Sequence, residues 1–328
     1  MKLLVTGGNG FVGSRVLAAL QQQAGLTATG SVRQPASSTA GTASTAGTTS
    51  ASGCWATGCL NGETDWSNAT KGVDCVVHTA ARVHVARDSA ADPLAEYRIV
   101  NVQGTLNLAK QAAAAGVRRF MFISSIGVNG AETTKTLFTD QDVPRPLSPY
   151  TTSKYEAELR LNVLAKETGM EMVIVRPPLV YGPNAPGNFG VLMRWLSCGI
   201  PLPLGAVHNK RSLVALDNLV DLIVTCTHHP AAANQTFLVS DGEDLSTTHL
   251  LQRLGQAMGR PARLIPVPQV LLQAGAALLG KPELAQRLCG SLQVDMAKTR
   301  QLLGWSPPIL VDEGLRRAAE GFRREAAV

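Results

Sequence analysis

Three glycines near the start of the chain constrain its fold more than any other feature. They are Gly7, Gly10 and Gly13, and they lie between an apolar run at residues 3–5 and a helix-like stretch at 14–20. Between a strand and a helix, this spacing permits a tight turn, close approach of the backbone to a pyrophosphate, and close packing of helix on strand. Unpaired N–H groups at the helix start would present a partial positive charge to that anion. The pattern predicts a strand, a turn and a helix that bind a dinucleotide.

Short apolar runs then alternate with helical patterns, which is typical of a parallel sheet with crossover helices. The apolar runs predict four further strands, at Leu26–Ser31, Val73–His78, Arg119–Ser124 and Met172–Arg176. Helices are predicted at Asp92–Ala115, Pro149–Lys166 and Asp217–His229. Residues 34–53 consist almost wholly of Ser, Thr, Ala and Gly, so a surface loop is predicted there.

The pattern changes after Arg176. Residues 177–211 contain eleven Pro and Gly, which predicts loops laid over a scaffold, and the chain is mostly helical in character from Leu245 onward. We predict an α/β fold, a doubly wound parallel sheet (Rossmann fold) with a smaller, mostly helical C-terminal domain. The predicted boundaries assign residues 1–177 and about 212–239 to the cofactor domain, and about 178–211 and 240–328 to the substrate domain.

Bulk properties narrow the class of protein further. The 328 residues carry a formal net charge of +6, but the basic residues are scattered, so small anionic ligands are favoured over nucleic acid. The six cysteines form no Cys-x-x-Cys pair, which indicates reduced thiols and no metal site. No apolar run reaches the roughly 18–20 residues of a membrane span, and residues 270–279, the nearest candidate, predict a core or interface helix. Without a signal-peptide layout, a cytoplasmic protein is expected.

Tyr150 and Lys154 form the strongest candidate for chemistry, because a spacing of four positions in a helix places them on one face. A phenol with a pKa near 10 is a poor base, and a pKa of about 7 needs roughly 4 kcal/mol of preferential phenolate stabilisation. A lysine ammonium one turn away, the positive helix end and the charge of an oxidised nicotinamide are together expected to provide it. Ser124 or Ser125, at the C-terminal end of a predicted strand, would hydrogen-bond a substrate oxygen during hydride transfer.

These motifs resemble the extended short-chain dehydrogenase/reductases, the family of nucleotide-sugar epimerases, dehydratases and reductases. Apart from residues 34–58, matching segments extend almost from end to end: Thr6–Gly13, His78–Ala81, Asn101–Thr105, Ser124–Ser125, Val128–Gly130, Tyr150 with Lys154, Arg176–Pro183 and Leu303–Trp305. The resemblance implies that the chain binds NAD or NADP and a UDP-sugar. It also implies a homodimer built on the helices predicted at 92–115 and 149–166.

The resemblance assigns catalytic roles to three residues. Tyr150 would be the acid/base, Lys154 its partner and a ligand of the ribose, and Ser125 the hydroxyl that orients the sugar oxygen. Alignment on Val128–Gly130 selects Ser125 over Ser124. The implied cofactor-binding residues are Gly7, Gly10, Phe11, Val12, Gly13, Ala80, Ala81, Asn101 and Lys154.

Three further residues are implied to bind the substrate. Arg211 matches the arginine that clamps the diphosphate in this family, and Asn188 matches a residue that touches a phosphate or the sugar. Arg287 is a candidate for the nucleotide end.

Two departures from the family pattern bear on the reaction. Dehydratases place Asp-Glu after the catalytic hydroxyl, whereas this chain has Ile126-Gly127, which disfavours elimination of water. Members that prefer NAD place a carboxylate on the ribose diol at the end of the second strand, whereas this chain has Ser31-Val32-Arg33. Without that carboxylate, and with Arg33 available to pair a 2′-phosphate, NADP(H) is the favoured cofactor.

Local segments such as Ala80–Val85, Gly187–Phe189 and Pro201–Gly205 resemble a branch that contains UDP-4-keto-6-deoxy-N-acetylhexosamine reductases. The resemblance implies reduction of such a keto sugar at C4, forming UDP-N-acetylquinovosamine for O-antigen. Two alternatives stay open: a UDP-glucose or UDP-N-acetylglucosamine 4-epimerase with tightly bound NAD, and a catalytically inactive scaffold that senses NADP.

Overall fold

The computed structural model describes residues 1–32, 54–83, 91–280 and 282–326. The strands in these ranges are β1 Lys2–Thr6, β2 Thr27–Val32, β3 Cys54–Ala56, β4 Cys75–His78, β5 Arg119–Ile123, β6 Glu171–Arg176, β7 Leu179–Tyr181, β8 Arg211–Ala215, β9 Gln235–Leu238 and β10 Asp244–Leu245. The α-helices are α1 Gly13–Gln21, α2 Ser67–Thr70, α3 Pro93–Arg98, α4 Thr105–Ala114, α5 Pro149–Thr168, α6 Gly187–Ser197, α7 Leu216–His228, α8 Thr247–Ala257, α9 Gln269–Leu278, α10 Pro282–Cys289, α11 Ala297–Leu303 and α12 Val311–Ala326.

Seven strands form one parallel sheet in the order β3-β2-β1-β4-β5-β6-β9. The order reverses beside β1, at the β1–β4 boundary, which is the crevice where open α/β sheets bind ligands at the carboxyl ends of their strands. Strands β10, β8 and β7 form a second, three-stranded sheet. The predicted doubly wound parallel sheet is confirmed.

The central sheet separates two apolar cores, because alternate residues of each strand point to opposite faces. Leu3, Val77 and Met121 belong to the core on one face, together with residues of α1 and α7. Leu4 and Phe122 belong to the core on the other face, together with residues of α4 and α5. This double burial explains why the strands are continuous apolar runs in the sequence.

The third core lies among α6, α8, α12 and the second sheet. Phe189, Leu213, Leu251 and Leu315 are among its buried members. It draws on residues from both segments of the predicted substrate domain, although the predicted domain boundaries themselves stay a prediction. Within the described part of the chain, every helix is too short or too polar to cross a lipid bilayer.

The predicted bounds hold for most strands of the central sheet, whereas residues 177–211, predicted as loops, contain β7 and α6. Two further differences have clear physical reasons. Strand β3 was not predicted, because it has three residues and follows the Ser/Thr/Ala/Gly stretch at 34–53. The predicted helix at 92–115 is α3 and α4 joined by a π-helical turn, Ile99–Gly104. Single π turns widen a helix locally and often occur at functional sites.

Candidate active site

The glycine turn between β1 and α1 is as tight as the sequence predicts. Gly7 has a φ of +72°, in the left-handed region that favours glycine. The Gly10 amide donates to the Gly7 carbonyl at 2.8 Å. A Cβ at Gly13 would lie 2.1 Å from the same oxygen, a distance that atoms cannot adopt. Position 13 therefore tolerates no side chain without displacement of the turn.

The start of α1 has the properties of an anion site. No side-chain hydrogen bond from the described residues caps the helix at Val12. A Cβ at Gly10 would meet only the Gly7 oxygen within 4 Å among those residues, so this corner of the turn opens outward. Phe11 and Val12 are half-buried and pack on the core beneath. The turn therefore fits the pyrophosphate of a dinucleotide, and the individual cofactor contacts stay predictions.

The segment after β4 borders this turn. A Cβ at Gly7 would lie 3.0 Å from the Ala80 amide nitrogen. Thr79 donates its hydroxyl proton to the Thr6 carbonyl at 2.6 Å, and the Ala80 amide donates to the Thr6 hydroxyl at 3.3 Å. Ala80 and Ala81 are half-buried. The structure thus places Ala80 beside the glycine turn, with Ala81 next in the chain, and their contacts with the cofactor stay predictions.

His78 supports this corner from inside the sheet. Its ring is buried, with Nδ1 2.7 Å from the Thr6 hydroxyl and Nε2 2.9 Å from the Thr105 hydroxyl. Burial, reinforced by the charge of Lys154, lowers the pKa of His78 to about 3. The imidazole is therefore neutral and joins β1, β4 and α4.

Asn101 joins the cofactor segment to the catalytic helix. It is buried in the π-helical turn, and its amide accepts from the Arg82 N–H at 2.8 Å and donates to the Arg82 carbonyl at 3.0 Å. The same amide group donates to the Ser153 hydroxyl on α5 at 3.0 Å. These contacts show a positioning role, whereas the predicted contact of Asn101 with the cofactor stays a prediction.

Helix α5 starts where the sequence predicts. Ser148 caps it in a reciprocal capping box with Thr151, and Pro149 occupies the first turn. Lys154, one turn further, is 2% exposed and donates from Nζ to the Ile123 carbonyl at 2.8 Å. Nζ also lies 4.4 Å from the centre of the Phe122 ring. The lysine head is thereby fixed at the C-terminal end of β5.

Burial governs the charge of Lys154. It lowers the pKa of the ammonium to about 7, against an opposing influence of Glu158. Glu158 itself is buried in an ion pair with Arg176, whose second guanidinium nitrogen reaches the Asn129 side chain at 2.9 Å. Asn129, where the family usually has Tyr, thus acts as a structural link to the end of β6.

The two serines after β5 have different surroundings. Ser125 accepts at Oγ from the Gly127 amide at 3.1 Å and stays partly accessible. Ser124 is 4% exposed, and its Oγ has no hydrogen-bond partner among the described residues. A Cβ at Gly127 would lie 2.5 Å from Cγ2 of Thr151, so the serine loop packs directly on the first turn of α5. The structure therefore brings Ser125 and Lys154 to the C-terminal end of β5, and Tyr150 lies in the first turn of α5, one turn before Lys154.

Burial and a neighbouring tyrosine affect the acidity of Tyr150 in the protein by itself. Its ring meets Tyr97 edge-to-face at 6.1 Å, and the Arg82 guanidinium carbon lies 5.4 Å from the Tyr97 ring centre. Burial, with an added contribution from Tyr97, raises the pKa of Tyr150 to about 12. The lowering toward 7 was expected with an oxidised nicotinamide beside the phenol, and it stays a prediction for that complex. Desolvation disfavours the phenolate, and burial also weakens the positive charge of Lys154.

The predicted substrate-binding residues are fixed less firmly than the residues at the sheet edge. Arg211 donates from Nη1 to the carbonyls of Arg287 and Gly290, at 2.9 and 3.0 Å, so it binds the C-terminal end of α10. Burial lowers the pKa of Arg211. The Arg287 side chain is 49% exposed beside Glu283. Asn188 is exposed in the first turn of α6, and its side chain makes no hydrogen bond to another described residue. The structure joins Arg211 to the 287–290 segment but does not join Asn188 to either arginine.

The structure describes only part of the segment on which the prediction of NADP(H) depends. Ser31 ends the described part of β2 with Val32, and its carbonyl accepts from the Gly8 amide at 2.9 Å. Arg33 lies outside the described residues. Within the described ranges, no group of three or more His, Cys, Asp or Glu residues could hold a metal ion.

Sequence reasoning assigned no role to Tyr97 or Ser153, although both lie against predicted site residues. Tyr97 precedes Asn101 by four residues, a spacing that puts two helical residues on one face and was the available signal. Ser153 is adjacent in sequence to Lys154, but its bond to Asn101 depends on the packing of the π-helical turn against α5. No pattern in the sequence predicts that turn.

Comparisons with known proteins agree with this geometry. The model of the NAD dependent epimerase/dehydratase family matches residues 3–240. A UDP-glucose 4-epimerase from Vibrio cholerae is 45% identical over 322 residues, which cover 98% of this chain and 95% of that protein.

Solved structures show the same fold. A UDP-glucuronic acid 4-epimerase from Bacillus cereus in complex with NAD superposes with a TM-score of 0.76 at 20% identity, covering 99% of each chain. A UDP-glucose 4-epimerase from Thermotoga maritima with UDP-glucose has a TM-score of 0.76 at 23% identity, covering 99% of this chain and 100% of that one. The chain is an enzyme of the short-chain dehydrogenase/reductase class and belongs to the NAD dependent epimerase/dehydratase family.

Proposed function

We propose that the protein is an NAD-dependent UDP-sugar 4-epimerase that acts on UDP-glucose or UDP-N-acetylglucosamine. One observation carries the proposal: 45% identity, over nearly the whole chain, to the Vibrio cholerae UDP-glucose 4-epimerase. The sequence analysis favoured reduction of a UDP-4-keto sugar and kept epimerisation as the alternative. The similarity reverses that preference, because it extends over 98% of the chain and includes both halves of the site.

The residues of the site support this chemistry. Gly7, Gly10 and Gly13 would hold the pyrophosphate of NAD, whose nicotinamide, when bound, supplies reversible hydride acceptance. Tyr150 would take the proton of the sugar 4-hydroxyl and return it when the 4-keto sugar presents its opposite face. Ser125 would orient the same oxygen through its hydroxyl.

The acidity of the two titrating groups limits how this proton moves. With its pKa raised to about 12, the Tyr150 phenol holds its proton at neutral pH, so it is a donor in the protein alone. It becomes a base only when positive charge stabilises its phenolate. Lys154, with a pKa lowered to about 7, changes charge near neutral pH and would provide part of that stabilisation.

NAD is proposed over NADP. The family that matches residues 3–240 is described as NAD dependent. The sequence-based preference for NADP depended on Arg33, which lies outside the described residues. The absence of a carboxylate at Ser31 and Val32 still favours a cofactor that exchanges, so a UDP-4-keto-sugar reductase is the second candidate.

We also propose a homodimer through α4 and α5. Leu159 and Val163 on α5 are 49% and 56% exposed, although both are large and apolar. They line a shallow cavity of about 360 Å³ that α4 completes with Leu106 and Lys110. An apolar surface between two such helices suits a two-fold interface, because the same patch serves both copies.

The experiment that tests the function separates the two candidates. Purified protein would be incubated with NAD and UDP-glucose, or with NAD and UDP-N-acetylglucosamine, and the C4 epimers would be separated by anion-exchange chromatography. The proposal predicts epimer formation with no net change in absorbance at 340 nm. The control reaction contains NADPH and a UDP-4-keto-6-deoxy-N-acetylhexosamine. Consumption of NADPH there, with no epimer formed in the first two reactions, would contradict the epimerase and select the reductase.

A further inference from the structure

An apolar cavity of about 500 Å³ lies among the end of α6, the following loop, α9 and α10. It is lined by Trp195, Ile200, Leu202, Pro203, Leu204, Leu271, Leu272, Gly275, Ala276, Leu279, Ala285, Leu288 and Cys289. None of these residues is charged, and none belongs to the predicted catalytic, cofactor-binding or substrate-binding set. Its size is that of a ligand pocket. A polar ligand would lose its hydration there without gaining hydrogen bonds, so the walls select an apolar occupant.

Helix α9 forms the outer wall of this cavity and is itself uncovered. None of its residues is buried. Val270 and Leu271 are 72% and 62% exposed, and Leu278, with Leu279 directly after it, is 89% and 77% exposed. Contiguous exposed leucines of this kind mark a surface that contacts another apolar phase or molecule. With ten residues, α9 is about 15 Å long, half the thickness of the hydrocarbon layer of a bilayer.

The segments that form the cavity are mostly basic, although Arg253 among them pairs with Glu243 and Asp312. Segments 184–211 and 246–294, which supply its walls, contain a single carboxylate, Glu283, and eight basic residues: Arg194, Lys210, Arg211, Arg253, Arg260, Arg263, Lys281 and Arg287. The whole chain is nearly balanced by comparison, with 30 Lys and Arg against 24 Asp and Glu. Positive charge is therefore concentrated on the part of the chain that carries the exposed apolar helix.

Several of these cations adjoin the cavity walls. Arg194 is exposed and precedes Trp195, and the carbonyl of Arg263 accepts from the amide of Leu202 at 2.9 Å. Arg260 donates to the Ser197 carbonyl at the end of α6. Arg287 lies between Ala285 and Leu288 on α10. An apolar surface with a cationic border is the composition of a protein surface that lies at the headgroup level of an anionic membrane.

We propose that α9 and this cavity form a docking surface for an anionic lipid bilayer. Helix α9 lies in the headgroup layer, the bordering arginines contact lipid phosphates, and one lipid acyl chain enters the cavity. A second copy of the chain fits this surface less well. A two-fold interface sets the same arginines of both copies against each other, with Glu283 as the one carboxylate from these segments to balance them. The proposed dimer face on α4 and α5 is a separate surface.

Sedimentation with lipid vesicles tests the proposal, and it needs no catalytic readout, so its outcome is independent of the proposed reaction. The full-length protein should sediment with vesicles of phosphatidylglycerol and phosphatidylcholine, and added salt should weaken the binding. Leu278→Asp should weaken it about tenfold, since a leucine side chain that the bilayer would bury is replaced by a charge that an anionic membrane repels. Arg263→Glu should weaken it about fivefold or more.

Leu310→Asp is the matched control, because Leu310 is 78% exposed, similar to Leu278, and precedes α12 rather than α9. It should bind vesicles as the unmodified protein does. Equal binding of Leu278→Asp and Leu310→Asp would overturn the proposal. So would equal binding to vesicles of phosphatidylcholine alone, or a dimer in analytical ultracentrifugation that Leu278→Asp dissociates.

Discussion

The catalytic edge of the central sheet and the predicted substrate surface fix their polar groups in different ways. Lys154 is 2% exposed and bonded to the carbonyl of Ile123 at the end of β5, and Asn101 is 1% exposed and bonded to two segments. Asn188 and Arg287, by contrast, extend from surface helices into solvent. We therefore expect the residues fixed at the sheet edge to govern the reaction, and the exposed residues of the predicted substrate surface to govern which sugar binds.

Arg211 lies between these extremes, because it is half-buried and its guanidinium is occupied with the carbonyls of Arg287 and Gly290. The predicted diphosphate clamp is thus also a structural link between β8 and α10. A substrate diphosphate has to share or replace these contacts. Substitutions on the substrate surface should therefore affect binding, and those at the sheet edge should affect the chemical step or the fold.

Tyr150→Phe should produce the largest effect at the sheet edge. It removes the proton-transferring oxygen and keeps the ring that packs on Tyr97, so kcat should fall about 10³-fold without loss of thermal stability. Tyr155→Phe, one residue past Lys154 on the same helix, is the matched control and should keep its activity. Epimer formation and a melting curve are measured for both. Full activity in Tyr150→Phe would place the acid/base elsewhere.

Gly13→Ala should have the next largest effect, because the new Cβ would lie 2.1 Å from the Gly7 oxygen and 2.6 Å from the Thr79 hydroxyl. The backbone at Gly7 cannot move aside as a flexible side chain can. The free energy of unfolding should therefore fall by about 3 kcal/mol in urea titrations. At Gly62 the nearest atom to a new Cβ is 3.7 Å away. Gly62→Ala should therefore change stability by less than about 0.5 kcal/mol, and equal losses would argue against the tight turn.

Lys154 makes stability depend on pH. Its folded pKa of about 7 lies below the value of 10.5 for an unperturbed lysine, so between these two values the unfolded chain binds more protons. Stability should consequently rise with pH through this window, by up to about 1.4 kcal/mol per unit from this group alone. Lys154→Met should remove that contribution.

Urea titrations at about pH 7.5 and about pH 9.5 measure this difference. Lys166→Met, at an exposed position on the same helix, is the control and should keep the slope of the unmodified protein. An unchanged slope in Lys154→Met would mean that the lysine is charged in the folded protein throughout the window.

Arg211→Ala should have the smallest effect of this series. Loss of one charged hydrogen-bonding group toward a diphosphate should raise KM for the UDP-sugar about tenfold with little change in kcat. Arg253→Ala is the matched control, because Arg253 forms a partly exposed ion pair with Glu243 at 2.6 Å and has no predicted role in binding. If kcat falls while KM stays constant, Arg211 acts in the chemical step, and the contrast between the two regions would be incorrect.

Sequence reasoning predicted the sheet well, because Leu3–Val5 and Arg119–Ser124 are apolar runs buried on both faces and are punctuated by Gly or Ser. It missed β3, whose three residues carry too little pattern. It also treated 92–115 as one regular helix, because a π-helical turn leaves no mark in hydrophobic spacing. Local periodicity specifies which elements form, and tertiary packing specifies their irregularities.

Sequence reasoning has the same limit when it is applied to the ionisation of residues in the candidate site. The spacing of Tyr150 and Lys154 correctly predicted a shared helix face, and the Ser148-Pro149 start was confirmed. The acidity of Tyr150 beside a bound nicotinamide stays a prediction. In the protein by itself, burial and a smaller contribution from Tyr97 raise its pKa to about 12, and the sequence analysis did not connect Tyr97 to the site. Spacing along a helix is local information, whereas desolvation is determined by every element that packs around the group.

The fate of the hydrogen at C4 tests the central claim most directly. UDP-glucose that carries deuterium at C4 would be incubated with the purified protein and NAD, and the epimer analysed by mass spectrometry. If the sheet edge transfers a hydride to the nicotinamide and back to the same sugar, the UDP-galactose formed should retain the deuterium. Epimer that has lost its deuterium, or deuterium that accumulates in released NADH without epimer, would contradict the account.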